Sequence, residues 1–111
     1  MQDLIFPLIV PLPILIGDPV CRIPLDYAVK VFEIGGHLRA LVSGTLTATI
    51  KNFTTGIAIS SALSWSASGM QNVRGLNAII GKNEDLAIAV SGIGIGALDC
   101  FVTIWCQLPG I

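Results

Sequence analysis

The residues whose spacing most suggests chemistry are GIGIGA, residues 92–97. They fit the G-x-G-x-x-G/A pattern of dinucleotide-binding turns and follow a predicted strand. Such a site needs a helix that begins at the turn, because the free N–H groups of its first turn bind the pyrophosphate. The residues that follow are β-branched and aromatic, which favours a strand instead. We therefore interpret the cluster as a flexible hairpin connection and predict no cofactor.

The titratable residues form no recognisable catalytic or metal-binding set. His37 is the single histidine, so neither a His pair nor a spaced nucleophile and base is present. A surface or capping role beside Gly35-Gly36 is the expectation for it. The acidic pair Glu84-Asp85 either binds a cation or solvates a turn, and turn solvation is the simpler interpretation. We predict no catalytic residues, no metal site and a protein that is not an enzyme.

Two tryptophans and three cysteines remain as chemically distinctive residues. Trp65 and Trp105 occupy alternating positions of predicted strands, where they are either a sugar platform or, more simply, core residues or interface anchors. Cys100 and Cys106 share one face of a predicted strand but are about 20 Å apart, too far for a disulfide. A bridge from Cys21 to either one is left open, although buried free thiols in a reducing compartment are the simpler expectation.

The composition predicts one domain that needs partners. With 111 residues the chain is long enough for a single two-layer core. Six basic and seven acidic residues leave no charge footprint for nucleic acid or anionic lipid. Hydrophobic residues make up 53% of the chain and charged residues only 12%, too few to cover the surface. We therefore expect an obligate assembly, because large exposed apolar patches usually mark interaction sites.

The apolar runs are too short for a membrane-spanning helix. The longest of them, Leu4 to Gly17, falls short of the about 20 residues that a span requires. A cleaved secretory signal is also disfavoured, because Asp3 precedes this run and Pro7, Pro11 and Pro13 interrupt it. We predict no membrane association.

The same prolines restrict residues 1–19 to an edge strand at most, and extended polyproline-like chain is the favoured interpretation. We predict an extended apolar N-terminal arm over 1–19 and a β-sandwich domain over 20–111. Burying its large side chains gains roughly 1.5 kcal/mol or more each, which nearly cancels the entropy lost on ordering. A neighbouring subunit is the expected receiving surface, and folding back onto the chain's own sandwich is the alternative. The predicted partner-binding residues are Leu4, Ile5, Phe6, Leu8, Ile9, Val10, Leu12, Ile14, Leu15 and Ile16.

Beyond this segment, period-two alternation predicts strands. The clearest is TLTATIK, residues 45–51, in which Leu46, Ala48 and Ile50 share one face. Further strands are predicted over 27–34, 37–43, 57–65, 85–91 and 98–107, with Gly35-Gly36 as a turn. Residues 66–80 are left open between a helical turn and an irregular strand pair. The fold class is an all-β, small antiparallel β-sandwich of about six to eight strands, jelly-roll-like if the connections cross between sheets.

From Gly44 to Gln107 the chain has a strand at Thr45 to Lys51, the serine-rich stretch Ser60 to Ser68, and Asn83-Glu84-Asp85-Leu86 leading into AIAVSGIGIGALDCFVTIW. In this pattern the second half of the chain resembles the small β-sandwich proteins of tailed-bacteriophage virions. Such modules occur as capsid decoration (cement) proteins and in tail fibres or tail tips. The resemblance implies a homotrimer whose N-terminal arm lies on neighbouring subunits of the capsid.

These observations lead to one functional hypothesis and one alternative. The hypothesis is a non-enzymatic capsid decoration protein, assembled in the host cytoplasm, that binds the major capsid protein or other virion proteins at the capsid surface. The alternative is a receptor- or glycan-binding module of a tail fibre or tail tip, in which Trp65 or Trp105 is exposed.

Overall fold

A computed structural model describes residues 3–11 and 14–108, which form nine β-strands. In chain order the strands are β1 Asp3–Ile9, β2 Gly17–Pro24, β3 Val29–Ala40, β4 Leu46–Asn52, β5 Ile57–Ala58, β6 Leu63–Trp65, β7 Gly69–Ile80, β8 Asp85–Gly92 and β9 Leu98–Gln107. Within these ranges, no helix is long and apolar enough to cross a membrane.

The strands form two antiparallel sheets that pack as a sandwich, which confirms the predicted all-β class. Sheet A has the order β1-β9-β3-β7, and sheet B has the order β2-β8-β4-β5, with β6 also paired to β4. From β1 to β4 and again from β7 to β9, each strand lies in the opposite sheet to the one before it. The pairs β1·β9, β2·β8, β3·β7 and β4·β6 are nested, like one long hairpin folded over on itself.

The core lies between the two sheets and is built from alternate residues of the long strands. In β4, Leu46, Ala48 and Ile50 are fully buried, as the TLTATIK pattern predicts. In β9, every second residue from Cys100 to Cys106 is buried. Because strand side chains alternate between faces, one apolar face on each sheet is enough to form the core.

Strand β3 differs from its prediction. It runs unbroken from Val29 to Ala40, so the expected turn at Gly35-Gly36 is wrong. A Cβ atom on Gly36 would lie 2.7 Å from Trp65 Cζ2, and one on Gly35 would lie 2.9 Å from Trp105 Cζ3. The two glycines therefore leave room for two indole rings, one on each face of the strand. The sequence pattern alone does not show whether a Gly-Gly pair marks a turn or a close approach of this kind.

The structure also differs from the predictions for two other segments. The strand expected over 57–65 consists of two short pieces, β5 and β6, because bends at residues 59–61 interrupt it. The segment left open, 66–80, contains the single 12-residue strand β7, paired along its length with β3. In this segment the partner strand, and not the local pattern, determines the secondary structure.

The N-terminal segment is ordered against the chain's own sheet where the structure describes it. Val10 donates its backbone N–H to the Cys100 carbonyl at 3.0 Å, in the register that β1 keeps with β9. Even-numbered residues of β1 therefore bond β9, and odd-numbered ones, Pro7 among them, turn their backbone groups to the open edge. A proline is tolerated there because no ladder donor is lost.

Residues 3–9 are thus an edge strand and not the extended arm favoured from the sequence. The predicted boundary between residues 19 and 20 falls inside β2. Leu12 and Pro13 lie outside the described residues.

A group of hydrogen bonds joins the C-terminal end of β4 to the turn before β8. Asn52, only 5% exposed, donates its side-chain amide to Glu84 Oε1 at 3.1 Å, and the Gly81 backbone N–H donates to the same oxygen at 2.5 Å. The side-chain oxygen of Asn52, Oδ1, in turn accepts hydrogen bonds from the backbone N–H groups of Thr54 and Thr55. The Glu84 carboxylate therefore satisfies turn donors, which is the structural role that the sequence favours for it.

The glycine at the inner face of β3 yields a stability prediction. Replacing Gly36 by alanine forces a methyl group against Trp65 and Leu63, whose nearest atoms lie 2.7 to 2.9 Å from the new Cβ. We expect the free energy of unfolding in urea to fall by roughly 1–3 kcal/mol, the cost of overpacking. The control is Gly92→Ala, whose Cβ has no neighbour nearer than 3.4 Å. Equal stability of the two variants contradicts the packing argument.

Candidate functional site

The predicted arm residues divide into a buried and an exposed set. Leu8, Val10 and Ile14 are buried in the chain's own core, and Leu4 and Phe6 pack against it. The exposed large side chains of the segment are Ile5 (57%), Ile9 (68%), Leu15 (61%) and Ile16 (65%). Folding back therefore occupies one face of the segment and leaves the other face open to a partner.

The two tryptophans lie in different environments. Trp65 is 1% exposed, and its indole N–H donates to the Gly69 carbonyl at 3.1 Å. It is a core residue of this chain and presents no surface to a partner. Trp105 lies on the outer face of sheet A, partly buried over Gly35. Of the two predicted interface anchors, only Trp105 is positioned to contact another molecule.

The outer face of sheet A carries several exposed apolar side chains. Across the strands, Ile9, Phe101, His37 and Met70 form one row. A second row begins with Ile5 and Trp105 and ends in charged residues. We define the outer face of sheet A by the residues Ile5, Ile9, Lys30, Glu33, His37, Arg39, Met70, Arg74, Ile79, Asp99, Phe101 and Trp105.

His37 lies within β3 rather than at a strand start. Its ring packs against Phe101 with centroids 5.1 Å apart and planes tilted by 43°. Its Nδ1 is buried and has no hydrogen-bond partner within residues 3–11 and 14–108. Sequence reasoning singled out His37 but missed Phe101 as its neighbour; the alternation of β9 is the signal that places Phe101 on the outer face.

A shallow groove of about 660 Å³ lies at one corner of this face. It is lined by Pro7, Ile9, Val10, Pro11, His37, Arg39, Asp99, Cys100 and Phe101. The lining is almost wholly apolar apart from the ionic pair at its rim. Such a groove suits apolar side chains of a partner better than a polar metabolite.

Two ion pairs lie on the same face. Arg39 Nε contacts the Asp99 carboxylate, and Arg74 Nε lies 3.3 Å from Glu33 Oε2. The first joins β3 to β9 and the second joins β3 to β7. Because all four side chains are at least partly exposed, these pairs contribute little to folding stability, and their charges remain open to a partner.

Charged contacts also lie on the outer surface of sheet B. Lys51 Nζ lies 2.9 Å from Asp18 Oδ2 and 5.9 Å from the ring centre of Phe53, and Arg22 Cζ lies 5.3 Å from the same ring centre. Arg22 also pairs with Asp85 at 3.5 Å. Within the described residues, each outer surface therefore carries two ion pairs, and on sheet B they lie around the Phe53 ring.

The described residues contain no group of three or more His, Cys, Asp or Glu side chains that can hold a metal ion. The three cysteines are free, with Cys100 and Cys106 buried and Cys21 partly exposed. Burial raises the pKa of Cys100 from 9.0 to about 11 and that of Cys106 from 9.0 to about 12. Both are therefore protonated thiols at neutral pH, as expected of cysteines that pack as small apolar residues.

The chain is weakly similar to one solved structure. No protein-family model matches the chain, and no curated protein matches it. One solved structure is similar, entitled "Structure of infectious bursal disease virus Gx strain", with a TM-score of 0.37 and 13% identity. The similarity covers 98% of this chain and 32% of that chain, so the chain spans about a third of that length. This weak similarity is to a virus structure and not to one from a tailed bacteriophage.

The buried thiols predict selective reactivity. Below pH 9, a thiol reagent should modify Cys21 first, and Cys100 and Cys106 only as the chain unfolds, because the thiolate is the reactive form. The check is a count of modified thiols against time, with and without denaturant. Cys21→Ser is the control that should remove the early phase. Equally fast modification of Cys106 in the folded chain contradicts the prediction.

The same pKa values predict how stability depends on pH. The folded chain holds the thiol protons of Cys100 and Cys106 more tightly than the unfolded chain. Their contribution is therefore complete below the unfolded pKa of 9.0 and is lost as the pH rises toward about 11 and 12. The free energy of unfolding should fall over this window, and less steeply in Cys106→Ala.

Proposed function

We propose that this chain is a non-enzymatic structural protein of a virion, a capsid decoration (cement) protein that oligomerises and stabilises the capsid lattice. The observation that carries the proposal is the exposed apolar set of the N-terminal segment, Ile5, Ile9, Leu15 and Ile16. Four large aliphatic side chains left in solvent within one short segment are typical of a surface that another subunit covers.

The topology supports the same proposal. We propose that the sandwich is a jelly roll, because its strand pairs are nested and its long strands alternate between the sheets. All six connections between successive long strands (β1, β2, β3, β4, β7, β8 and β9) pass from one sheet to the other. Double-sheet jelly rolls are common in viral capsids and also in lectins. One fold can serve several functions. The topology therefore limits the candidates to the functions that this fold serves, and the exposed apolar surface favours the capsid role among them.

The proposed mechanism is burial of apolar surface. Removing an isoleucine or leucine side chain from water contributes roughly 1.5–3 kcal/mol. A few such side chains per subunit, repeated over a lattice, add up to a substantial stabilisation. On this proposal the partners are other copies of the chain, as a trimer, together with the major capsid protein or other virion proteins, and the location is the capsid surface after assembly in the host cytoplasm.

Surface substitutions test this proposal better than deletion of the segment does. Deleting residues 2–17 removes Leu8, Val10 and Ile14 from the core and uncovers the edge of β9, so a loss of attachment would be ambiguous. Leu15 and Ile16 lie between β1 and β2, and both are exposed. Changing them should leave the sandwich intact.

We expect the double variant Leu15→Asp/Ile16→Asp to fold normally and to attach to capsid shells at least about tenfold more weakly, because two apolar contacts are replaced by charges. The measurement is co-sedimentation of purified protein with shells of the virus that encodes it. Ile57→Asp, at a similarly exposed isoleucine of β5, is the matched control. Attachment unchanged in the double variant rules out the proposed role of the segment.

One observation favours a second candidate function, a receptor- or glycan-binding module of a tail fibre or tail tip. Trp105 is partly exposed on the outer face of sheet A, and an indole face is a common platform for sugar rings. On a glycan array, this candidate predicts binding that Trp105→Ala abolishes and that Trp105→Phe partly retains. An array without signal for the unmodified chain removes this candidate and leaves the first one standing.

A further inference from the structure

One end of the sandwich is formed by four connections, β1–β2, β3–β4, β6–β7 and β8–β9, which span residues 10–16, 41–45, 66–68 and 93–97. Each of them passes from one sheet to the other, and the strand register brings them together. In sheet A the last residue of β3, Ala40, pairs with the first residue of β9, Leu98. In sheet B the first residue of β4, Leu46, pairs with the last residue of β6, Trp65. We call this surface, the four connections together with Leu98, the apolar end.

The apolar end carries no charged residue in the sequence of its four connections. Its polar side chains are hydroxyls, those of Ser43, Thr45, Ser66 and Ser68. Its exposed large aliphatic side chains are Leu15, Ile16, Val42, Ile95 and Leu98. The opposite end of the sandwich differs, because its connections carry Asp26, Lys82 and Glu84. The molecule therefore has one uncharged end and one charged end.

The charges that border the apolar end are neutralised in pairs. The charged residues nearest along the chain to three of its connections are Asp18, Arg39 and Asp99, and the fourth connection has no charge within five residues on either side. Arg39 pairs with Asp99 in sheet A, and Lys51 reaches Asp18 in sheet B at 2.9 Å. Each sheet thus ends toward this surface in an ion pair whose two charges cancel.

The backbone of the apolar end makes hydrogen bonds within that end. Val42 and Ser43 both donate their N–H groups to the Ile95 carbonyl, at 2.8 and 3.3 Å, and Ile95 donates to the Ser43 carbonyl at 2.8 Å. Glycines permit this contact, because a Cβ atom on Gly44 would lie 2.9 Å from the Cα atom of Gly94. Backbone groups that already bond one another resist transfer out of water less than free ones do. The β3–β4 and β8–β9 connections therefore present Val42 and Ile95 from a backbone that is bonded where they meet.

These properties match what the interface of a lipid bilayer requires. Shallow insertion into a bilayer grows stronger with the apolar area inserted and is opposed by charged groups that must leave water. A protein interface usually adds a polar rim with direct hydrogen bonds to its apolar centre. The apolar end supplies aliphatic side chains without such a charged rim, whereas the outer surfaces of both sheets carry charges. Anionic lipid is not required, because the connections contain no basic residues.

We propose that the apolar end inserts its exposed aliphatic side chains into the interfacial region of a neutral lipid bilayer and so holds the protein on a membrane surface without spanning it. The inference goes beyond the proposed function. The sequence prediction of no membrane association concerned spanning helices, cleaved signals and attraction to anionic lipid. Shallow insertion of side chains from loops requires none of these.

Flotation of the purified full chain with phosphatidylcholine vesicles tests the insertion. The unmodified chain should float with the vesicles, and added salt should not release it, because charge attraction is not involved. Val42→Asp and Ile95→Asp should each bind at least about tenfold more weakly, since a charge replaces an apolar contact. Ile57→Asp is the matched control. Ile57 is 65% exposed and Ile95 is 64% exposed, but Ile57 pairs with Asn52 at the opposite end of β4.

A second pair of variants covers the case in which an added charge disturbs folding. Val42→Trp places an indole at a side chain that is 78% exposed, and tryptophan favours the membrane interface. We expect this variant to bind the vesicles at least as tightly as the unmodified chain does. Its additional fluorescence should shift to shorter wavelength on binding and should be quenched by brominated lipid. Ile57→Trp should show neither change.

Four outcomes would overturn the inference. They are an unmodified chain that does not float, equal losses of binding in Ile95→Asp and Ile57→Asp, release of the bound chain by salt, and a Val42→Trp signal that vesicles leave unchanged. If Val42→Asp instead weakens self-association in sedimentation velocity while vesicles bind no chain, a second copy covers the apolar end and the inference is wrong. None of these experiments uses capsid shells, so their failure is distinct from failure of the proposed function.

Discussion

The close approach of two indole rings to consecutive glycines of β3 is the constraint on which the rest of the structure depends. Trp65 presses on Gly36 from the core, and Trp105 covers Gly35 from outside. Any side chain at either position would push an indole away, so the glycines that look like a turn in the sequence keep the central strand of sheet A in place. Because β3 pairs with both β7 and β9, its position sets the register of the whole sheet, and with it the outer surface that a partner meets.

The shortage of polar residues has a definite structural outcome. A chain with 53% hydrophobic and 12% charged residues has more apolar side chains than a two-layer core of this size can enclose. Part of the surplus lies on the N-terminal segment and on the outer face of sheet A, beside two ion pairs, and part lies outside the named strands, where Val42 and Ile95 are exposed. Apolar side chains that cluster on one face direct association through that face, whereas singly scattered ones are normal for any soluble domain.

The N-terminal segment packs against the core with one face and leaves its other face exposed. Its alternation sends Leu8 and Val10 into the core and leaves Ile5 and Ile9 outside. The inward residues secure the segment on β9, so the ordering entropy is offset within the chain, and the outward residues are already fixed when a partner arrives. A preorganised strand of this kind binds with a smaller entropic cost than a free arm does. The single-subunit fold and the proposed assembly are therefore compatible uses of the same segment.

The sequence by itself determined the all-β class, the buried faces of β4 and β9 and the absence of a bridge between Cys100 and Cys106, because side-chain alternation and strand rise are local properties of a strand. It did not determine that β3 passes straight through Gly35-Gly36, that 66–80 is one strand, or that residues 3–9 join sheet A. Each of these depends on a partner far along the chain: the two tryptophans, β3 and β9 respectively. Only the tertiary structure decided which residues share the outer face of sheet A, because strand order and register bring together Ile9, Phe101 and His37 from distant parts of the chain, and no local pattern encodes that pairing.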